Sequence, residues 1–514
     1  MNNLSLKELT ISQKIGQIVM PRLNFNNPDA LPYAKEIVQK FHVGGFIIFG
    51  GERKQVKKAT EELQATSTIP LLFACDAERG AGQIMSGATR FPFTMSLGAI
   101  GDEELVYRQA GFIAEELKEC GLNLVFAPVM DVNTNPENPI INIRSYGDDP
   151  FLVSRLGAAF IKGCQNRGVW GCAKHFPGHG AVAIDSHITL PQLAQSRENL
   201  CTCDLIPFEK AIENNVASIM VAHIAVPQID STGVPATISR EIVQELLIND
   251  LGFKGLVITD SFVMDALSNL GKEENIARLS ILSGCDIILD PRRPVELIER
   301  LIQMVKAGEI PKSLLDSAVE KIIATKRKWL GTQPWENPFD GTYGRNLLIE
   351  IAHRSVCLLK GGRLRSKTAT IYVLDVTQSE EDVSEPFVNH LTKAGIKLEE
   401  KSFTLQSIET FLPRCEINDG AIICLVYTSV AAWKGHTKLP ESFRELLKQV
   451  SSLQCERILI SFGSPYIIRG FENFDTILCA FDRLDDCQRA VADVLLGRLE
   501  AQGKLPVRLS SLYL

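Results

Sequence analysis

Seven short apolar segments recur through the first part of the chain. They are Val43 to Phe49 (VGGFIIF), Pro70 to Asp76 (PLLFACD), Leu122 to Pro128 (LNLVFAP), Trp170 to His175 (WGCAKH), Ser218 to His223 (SIMVAH), Gly255 to Asp260 (GLVITD) and Gly284 to Leu289 (GCDIIL). Each is apolar almost throughout instead of alternating, so each reads as a strand buried on both faces. The spacers of roughly 20 to 45 residues leave room for a crossover helix each time. Parallel strands joined by helices predict a TIM-like (β/α)8 barrel over residues 1–330, with no comparable segment marking the eighth strand. Asp76, His175, His223 and Asp260 all fall at the C-terminal ends of these segments, the end where such barrels build their active sites.

The stretch Gly331 to Arg345 (GTQPWENPFDGTYGR) carries two prolines and three glycines and reads as a linker. Beyond it, Ala369 to Leu374, Ala421 to Tyr427, Arg457 to Phe462 and Thr476 to Phe481 are again apolar. Four or five strands in residues 346–514 predict an α/β sandwich around a largely parallel sheet. A chain of 514 residues is too long for one ordinary core, which agrees with two domains.

Composition narrows the partners. Hydrophobic residues at 45% and charged residues at 22% are ordinary for a globular protein. A net charge of −7 argues against non-specific nucleic-acid binding and suits a small, neutral substrate. The N-terminus shows no basic head before an apolar run, and no apolar stretch is long enough to span a bilayer. The 13 cysteines form no Cys-x-x-Cys pair, and Cys75, Cys172, Cys285 and Cys424 sit inside apolar runs. Reduced, buried thiols in a cytoplasmic protein are the expectation, without a zinc site.

The densest chemistry lies in Lys174 to His187 (KHFPGHGAVAIDSH). Asp185 and His187 stand two positions apart, so the carboxylate can accept one imidazole N–H while the other ring nitrogen transfers a proton. Asp260, in Val257 to Ser261 (VITDS), could attack an electrophilic carbon, although an aspartate in that place also suits a helix cap or turn. Arg144 is the one basic residue of Asn135 to Asp149 and offers either a surface ion pair or a fork of donors for sugar oxygens or a pocket carboxylate. Asp76, opening Asp76 to Gly80 (DAERG), can accept from two neighbouring hydroxyls or close a turn.

These residues resemble the bacterial β-N-acetylglucosaminidase branch of glycoside hydrolase family 3. The likeness runs from Gln13-Lys14-Ile15-Gly16-Gln17 to Gly503-Lys504-Leu505-Pro506-Val507 and is most specific at Lys174 to Gly180 with Asp185-Ser186-His187. It implies a barrel plus an α/β sandwich, no metal or organic cofactor, and retaining hydrolysis of a terminal β-linked N-acetylglucosamine. It implies Asp260 as nucleophile and His187 as acid/base oriented by Asp185. Asp76, Arg144, Lys174 and His175 would bind sugar hydroxyls, and His179 would serve the loop's structure. A cytoplasmic enzyme of this branch would trim peptidoglycan fragments, so a GlcNAc-containing muropeptide is the expected partner. Phosphorolysis, a β-glucosidase activity and a non-catalytic sugar-binding role are the alternatives. One departure stands out. Arg79 occupies a place usually held by glycine, and Ile84 stands where an arginine is expected.

Overall fold

The structure, a computed structural model, describes residues 6–183, 186, 189–268, 270–330, 340–377, 382–403, 420–428, 430 and 439–509. The described part forms two compact units. One comprises Met1–Arg90, Glu103–Val132 and Val153–Gly344, and the other Phe91–Asp102, Asn133–Leu152 and Arg345–Leu514.

The first unit is a curled parallel sheet of the TIM type. Its strands are β1 (Val19–Met20), β2 (Arg22–Asn24), β3 (Gly45–Phe49), β4 (Leu72–Cys75), β5 (Leu124–Val125), β6 (Trp170–Phe176), β7 (Ser218–Val221), β8 (Leu256–Thr259) and β9 (Ile288–Leu289). β2 to β8 pair in sequence order, all parallel. A parallel bridge between Ile258 and Ile287 leads from β8 towards β9, and β9 pairs in parallel with β1. β1 and β2 are separated only by Pro21, which lacks the N–H a continuous ladder needs. Together they supply the strand that the sequence left unmarked. The signal was weak because the segment Val19 to Asn24 (VMPRLN) is short and broken by that proline and an arginine.

Seven-fold repetition of buried strands leaves little room for side chains where neighbouring backbones meet. A Cβ built on Gly45, the first residue of β3, would stand 2.0 Å from the carbonyl oxygen of Leu72 on β4. That atom belongs to the ladder and cannot swing away.

The second unit is a six-stranded sheet with helices on both faces. Its strands are β10 (Cys357–Lys360), β11 (Thr368–Asp375), β12 (Lys397–Phe403), β13 (Ala421–Tyr427), β14 (Glu456–Phe462) and β15 (Thr476–Ala480). The order is β10-β15-β14-β13-β11-β12, parallel except for β10 against β15. Alternate residues feed two cores. Ile371, Val373, Ile423 and Leu425 meet Phe387, Leu391 and Val491, while Tyr372, Leu374, Ile422 and Cys424 meet Phe443, Leu446 and Leu447. Met95, Ala99 and Ile143, from the two early segments of this unit, join the second of these cores. The two strands without an apolar segment in the sequence, β10 and β12, are the sheet's edges, where side chains such as Glu399 and Glu400 meet solvent. A helix, Gly341–Arg354, begins within the stretch read as a linker, and residues 331–339 of that stretch lie outside the described residues.

Replacing Gly45 with alanine should lower stability by about 1–3 kcal/mol, in the range of an overpacked core site. Chemical denaturation of the purified variant measures this, and an unchanged midpoint would contradict the close approach of β3 and β4.

Candidate active site

The C-terminal ends of β4, β6 and β8 carry the polar residues. Asp76 directly follows β4, Lys174 and His175 are part of β6, and Asp260 directly follows β8, its N–H donating to the Val221 carbonyl at 3.0 Å. The Lys174 ammonium lies 2.7 Å from Asp76 Oδ1 and 2.7 Å from Glu78 Oε1. Its side chain is only 2% exposed, whereas that of Asp76 is 31% exposed. A buried ammonium demands counter-charge, and two carboxylates leave the group with one net negative charge. Asp260 stands at the same end of the sheet, two strands from Lys174, and β6 also carries the buried Cys172 thiol. Burial, above all, pushes that thiol up to about 12, so it stays protonated.

A second group sits on the next side of β6. After β5 the chain keeps pairing, with Val129 bridged to Lys174 and the Met130 N–H donating to the Lys174 carbonyl. This register brings Asp131 beside His175. Asp131 Oδ1 accepts the backbone N–H groups of His175 (3.2 Å) and His179 (2.7 Å), and Oδ2 lies 2.7 Å from His175 Nδ1. Full burial opposes the charge on Asp131, but His175, through its charge and its hydrogen bond, still holds the carboxyl below its usual range. The carboxylate can only accept, so Nδ1 of His175 carries a hydrogen and the ring's tautomer is set. His179 Nε2 pairs with Ser186 Oγ at 2.9 Å, which ties the two ends of the glycine-rich loop together. Burial, followed by the neighbouring His175, lowers His179 to about 4, so it is neutral near pH 7.

The candidates from the sequence therefore fall into three sets. Asp76, Lys174, His175 and Asp260 gather at one end of the barrel. Asp185 and His187 lie outside the described residues, although Ser186 between them is buried and bonded to His179. Arg144 groups with the second unit, where its Nη1 donates to the Ile140 carbonyl at 2.9 Å. His223 is fully buried, with Nδ1 2.7 Å from Thr237 Oγ1 and Nε2 donating to the Ser261 carbonyl at 3.2 Å. Arg79 is buried, its backbone N–H donating to Gln83 Oε1.

Sequence reasoning passed over Glu78, Asp131 and Asp204. Glu78 was visible as the second acid of Asp76-Ala77-Glu78. Asp131 was marked only by being the first charged residue after an apolar run. Asp204 had no signal, because it lies nearly thirty residues beyond the strand it packs near, in a helical turn. A Cβ at Gly178 (φ +130) would come within 2.8 Å of its side chain. Neither of its carboxyl oxygens has a hydrogen-bond partner among the described residues. Burial, reinforced by the charge of Asp131, raises Asp204 to about 7.

In the unfolded chain Asp204 ionises near 3.8, but in the folded state it keeps its proton to about 7. Stability is therefore lost as pH rises between those values. Asp204→Asn should gain on the native protein across that window, reaching on the order of 2–4 kcal/mol by pH 8. Thermal unfolding at pH 4 and pH 8 checks this, and an equal offset at both would contradict it.

Among the described residues, no group of three or more His, Cys, Asp or Glu side chains is arranged to hold a metal ion. No described helix is long and apolar enough to cross a membrane. Comparison with known proteins then places the chain. The sequence model of the glycosyl hydrolase family 3 N-terminal domain matches residues 10–325. The chain is 31% identical over 421 residues to a β-N-acetylglucosaminidase/β-glucosidase of Cellulomonas fimi, covering 76% of this chain and 74% of the relative. Among solved structures it is similar to a family 3 β-N-acetylglucosaminidase from Paenibacillus sp. str. FPU-7, with a TM-score of 0.86, 29% identity and coverage of 98% and 99%. It is also similar to the β-glucoside phosphorylase BglX bound to 2FGlc, with a TM-score of 0.88, 25% identity and coverage of 98% and 95%. A family match over more than half of the residues, on a barrel whose polar groups gather at the strands' C-terminal ends, makes this chain a glycoside hydrolase of family 3.

Proposed function

We propose that this enzyme is a retaining exo-β-N-acetylglucosaminidase acting on peptidoglycan fragments, with Asp260 as nucleophile and His187, supported by Asp185, as acid/base. The observation that carries the reading is that Asp76, Lys174 and Asp260 stand at the C-terminal ends of β4, β6 and β8, with Lys174 2.7 Å from Asp76. An ion-paired carboxylate and a lysine suit sugar hydroxyls, and a second carboxylate supplies the nucleophile. The N-acetyl preference is supported by the names of the Cellulomonas and Paenibacillus proteins and by the Asp185-Ser186-His187 motif. The muropeptide partner rests on the resemblance alone, as does Arg144 as a sugar-binding residue. Free thiols among the described cysteines support a reducing, cytoplasmic setting.

In the first step Asp260 attacks the anomeric carbon, the glycosidic bond breaks, and His187 as imidazolium gives its proton to the leaving oxygen. An ester between Asp260 and the sugar results. In the second step neutral His187 takes a proton from water, and the water oxygen displaces the Asp260 carboxylate. Asp185 stabilises the imidazolium in the first step and holds the ring in place.

A second reading is favoured by the likeness to the β-glucoside phosphorylase. A histidine base carries no negative charge, so it does not repel phosphate as a carboxylate would. Phosphate could then take the place of water in the second step and release a sugar 1-phosphate.

Asp260→Ala should lower kcat/KM on an aryl β-N-acetylglucosaminide by at least about a thousandfold, the scale of losing a covalent nucleophile. Near-native turnover would remove Asp260 from this role. His187→Ala should cost about a hundredfold or more on a poor leaving group and far less on an activated one. Equal losses would mean it is not the acid. Product analysis with and without inorganic phosphate separates hydrolysis from phosphorolysis.

A further inference from the structure

The turn that presents Asp260 is held by Asp290 and His223 as well as by a hydrogen bond of its own, and neither of those two belongs to the sugar-binding groups already described. Ser261 follows Asp260, and its backbone N–H donates to Asp260 Oδ1 at 2.8 Å. Its hydroxyl donates to Asp290 Oδ2 at 2.7 Å. Its carbonyl accepts the Nε2 hydrogen of His223 at 3.2 Å. Asp290 follows β9, is buried to 1% exposure and adopts a positive φ of 54°, a conformation that costs a non-glycine residue about 1 kcal/mol or more. It is anchored by its own N–H, which donates to the Met20 carbonyl, and by Arg22, whose Nε and Nη2 donate to Oδ1 and Oδ2 at 2.8 and 2.5 Å. Arg22 in turn lies 4.6 Å over the ring of Phe49, at the end of β3.

We infer that Arg22, Asp290 and Ser261 form a positioning relay for the nucleophile, one that locks the Asp260-Ser261 turn to the next two strands of the barrel, β9 and β2. A buried carboxylate held by a bidentate guanidinium is a fixed point, because both rotatable ends are pinned by paired bonds. Through the Ser261 hydroxyl that fixed point fixes the peptide whose N–H orients the Asp260 carboxylate. An attack on the anomeric carbon needs that orientation to within a fraction of an ångström. The strain accepted at Asp290 has a purpose on this account, since it aims the carboxylate at Ser261 instead of along β9. On this reading Arg22, Asp290 and Ser261 act through Asp260, so they govern the rate of the chemical step and not ground-state binding.

The inference rests on Asp260 being the nucleophile, and one experiment separates the two. The slow substrate 5-fluoro-N-acetylglucosaminyl fluoride forms the glycosyl-enzyme faster than it is hydrolysed, so its label can be located by peptide mass spectrometry and its rate of formation followed. Ser261→Ala removes the hydroxyl link without stranding a buried charge, and Ser261→Thr keeps it. The expected result is labelling of Asp260 at least about tenfold slower in Ser261→Ala, near the native rate in Ser261→Thr, with KM for an aryl glycoside changed less than about twofold. Asp290→Asn should fall between them, because it keeps an acceptor for Ser261 and loses the charge that binds Arg22. Labelling of Asp260 at the native rate in Ser261→Ala would overturn the relay. Label on a different residue would overturn the nucleophile itself.

Discussion

Lys174 brings a positive charge to a place almost closed to solvent, and the mouth of the barrel is arranged around that fact. Taking an ammonium out of water costs several kcal/mol, and the cost is offset only if counter-charges arrive with good geometry. Asp76 from the end of β4 and Glu78 just beyond it both come to 2.7 Å. An ammonium stripped of both partners would be left buried and uncompensated at a cost of several kcal/mol, so Asp76 is held in place by the same electrostatics that tolerate the lysine. Because Asp76 is also the more exposed member, it presents a fixed acceptor to whatever enters.

Asp131 does for His175 and the following loop what Lys174 does for Asp76. One buried carboxylate gathers two backbone N–H groups and an imidazole, and so fixes both the start of the Lys174 to Gly180 segment and the tautomer of His175. The neutral His179 carries the constraint onward to Ser186. On the far side the Arg22–Asp290 pair fixes the turn of Asp260. Three carboxylates, two of them buried and each tied to a different cation or ring, thus brace this end of the barrel from three strands. Asp204 is the exception, a carboxyl that burial keeps protonated.

Much of this was legible in the chain. Seven buried strands announced themselves because a parallel sheet covered on both faces demands uninterrupted apolar runs. The polar residues closing those runs pointed to Asp76, His175 and Asp260, and also to His223, which is fully buried, while Lys174 was reached through the family resemblance. The eighth barrel strand was hidden by Pro21 and Arg22, and Arg22 is there for Asp290. The edge strands β10 and β12 were hidden because an edge needs no apolar face on its open side. The membership of Phe91–Asp102 and Asn133–Leu152 in the second unit was not legible at all. Their apolar residues look like any core residues, and no local pattern says which core Met95 or Ile143 joins. Supporting residues such as Asp131, Asp204 and Asp290 escaped for a related reason, since their partners are distant in sequence and meet only in the fold.

The proposed mechanism is a double displacement at the mouth of the barrel, with Asp260 holding the sugar between the two steps. The stereochemistry of the released sugar tests it most directly. Proton NMR of an aryl β-N-acetylglucosaminide mixed with the enzyme, recorded before mutarotation, should show the β anomer of N-acetylglucosamine appearing first. First appearance of the α anomer would mean a single inverting displacement and would contradict the account.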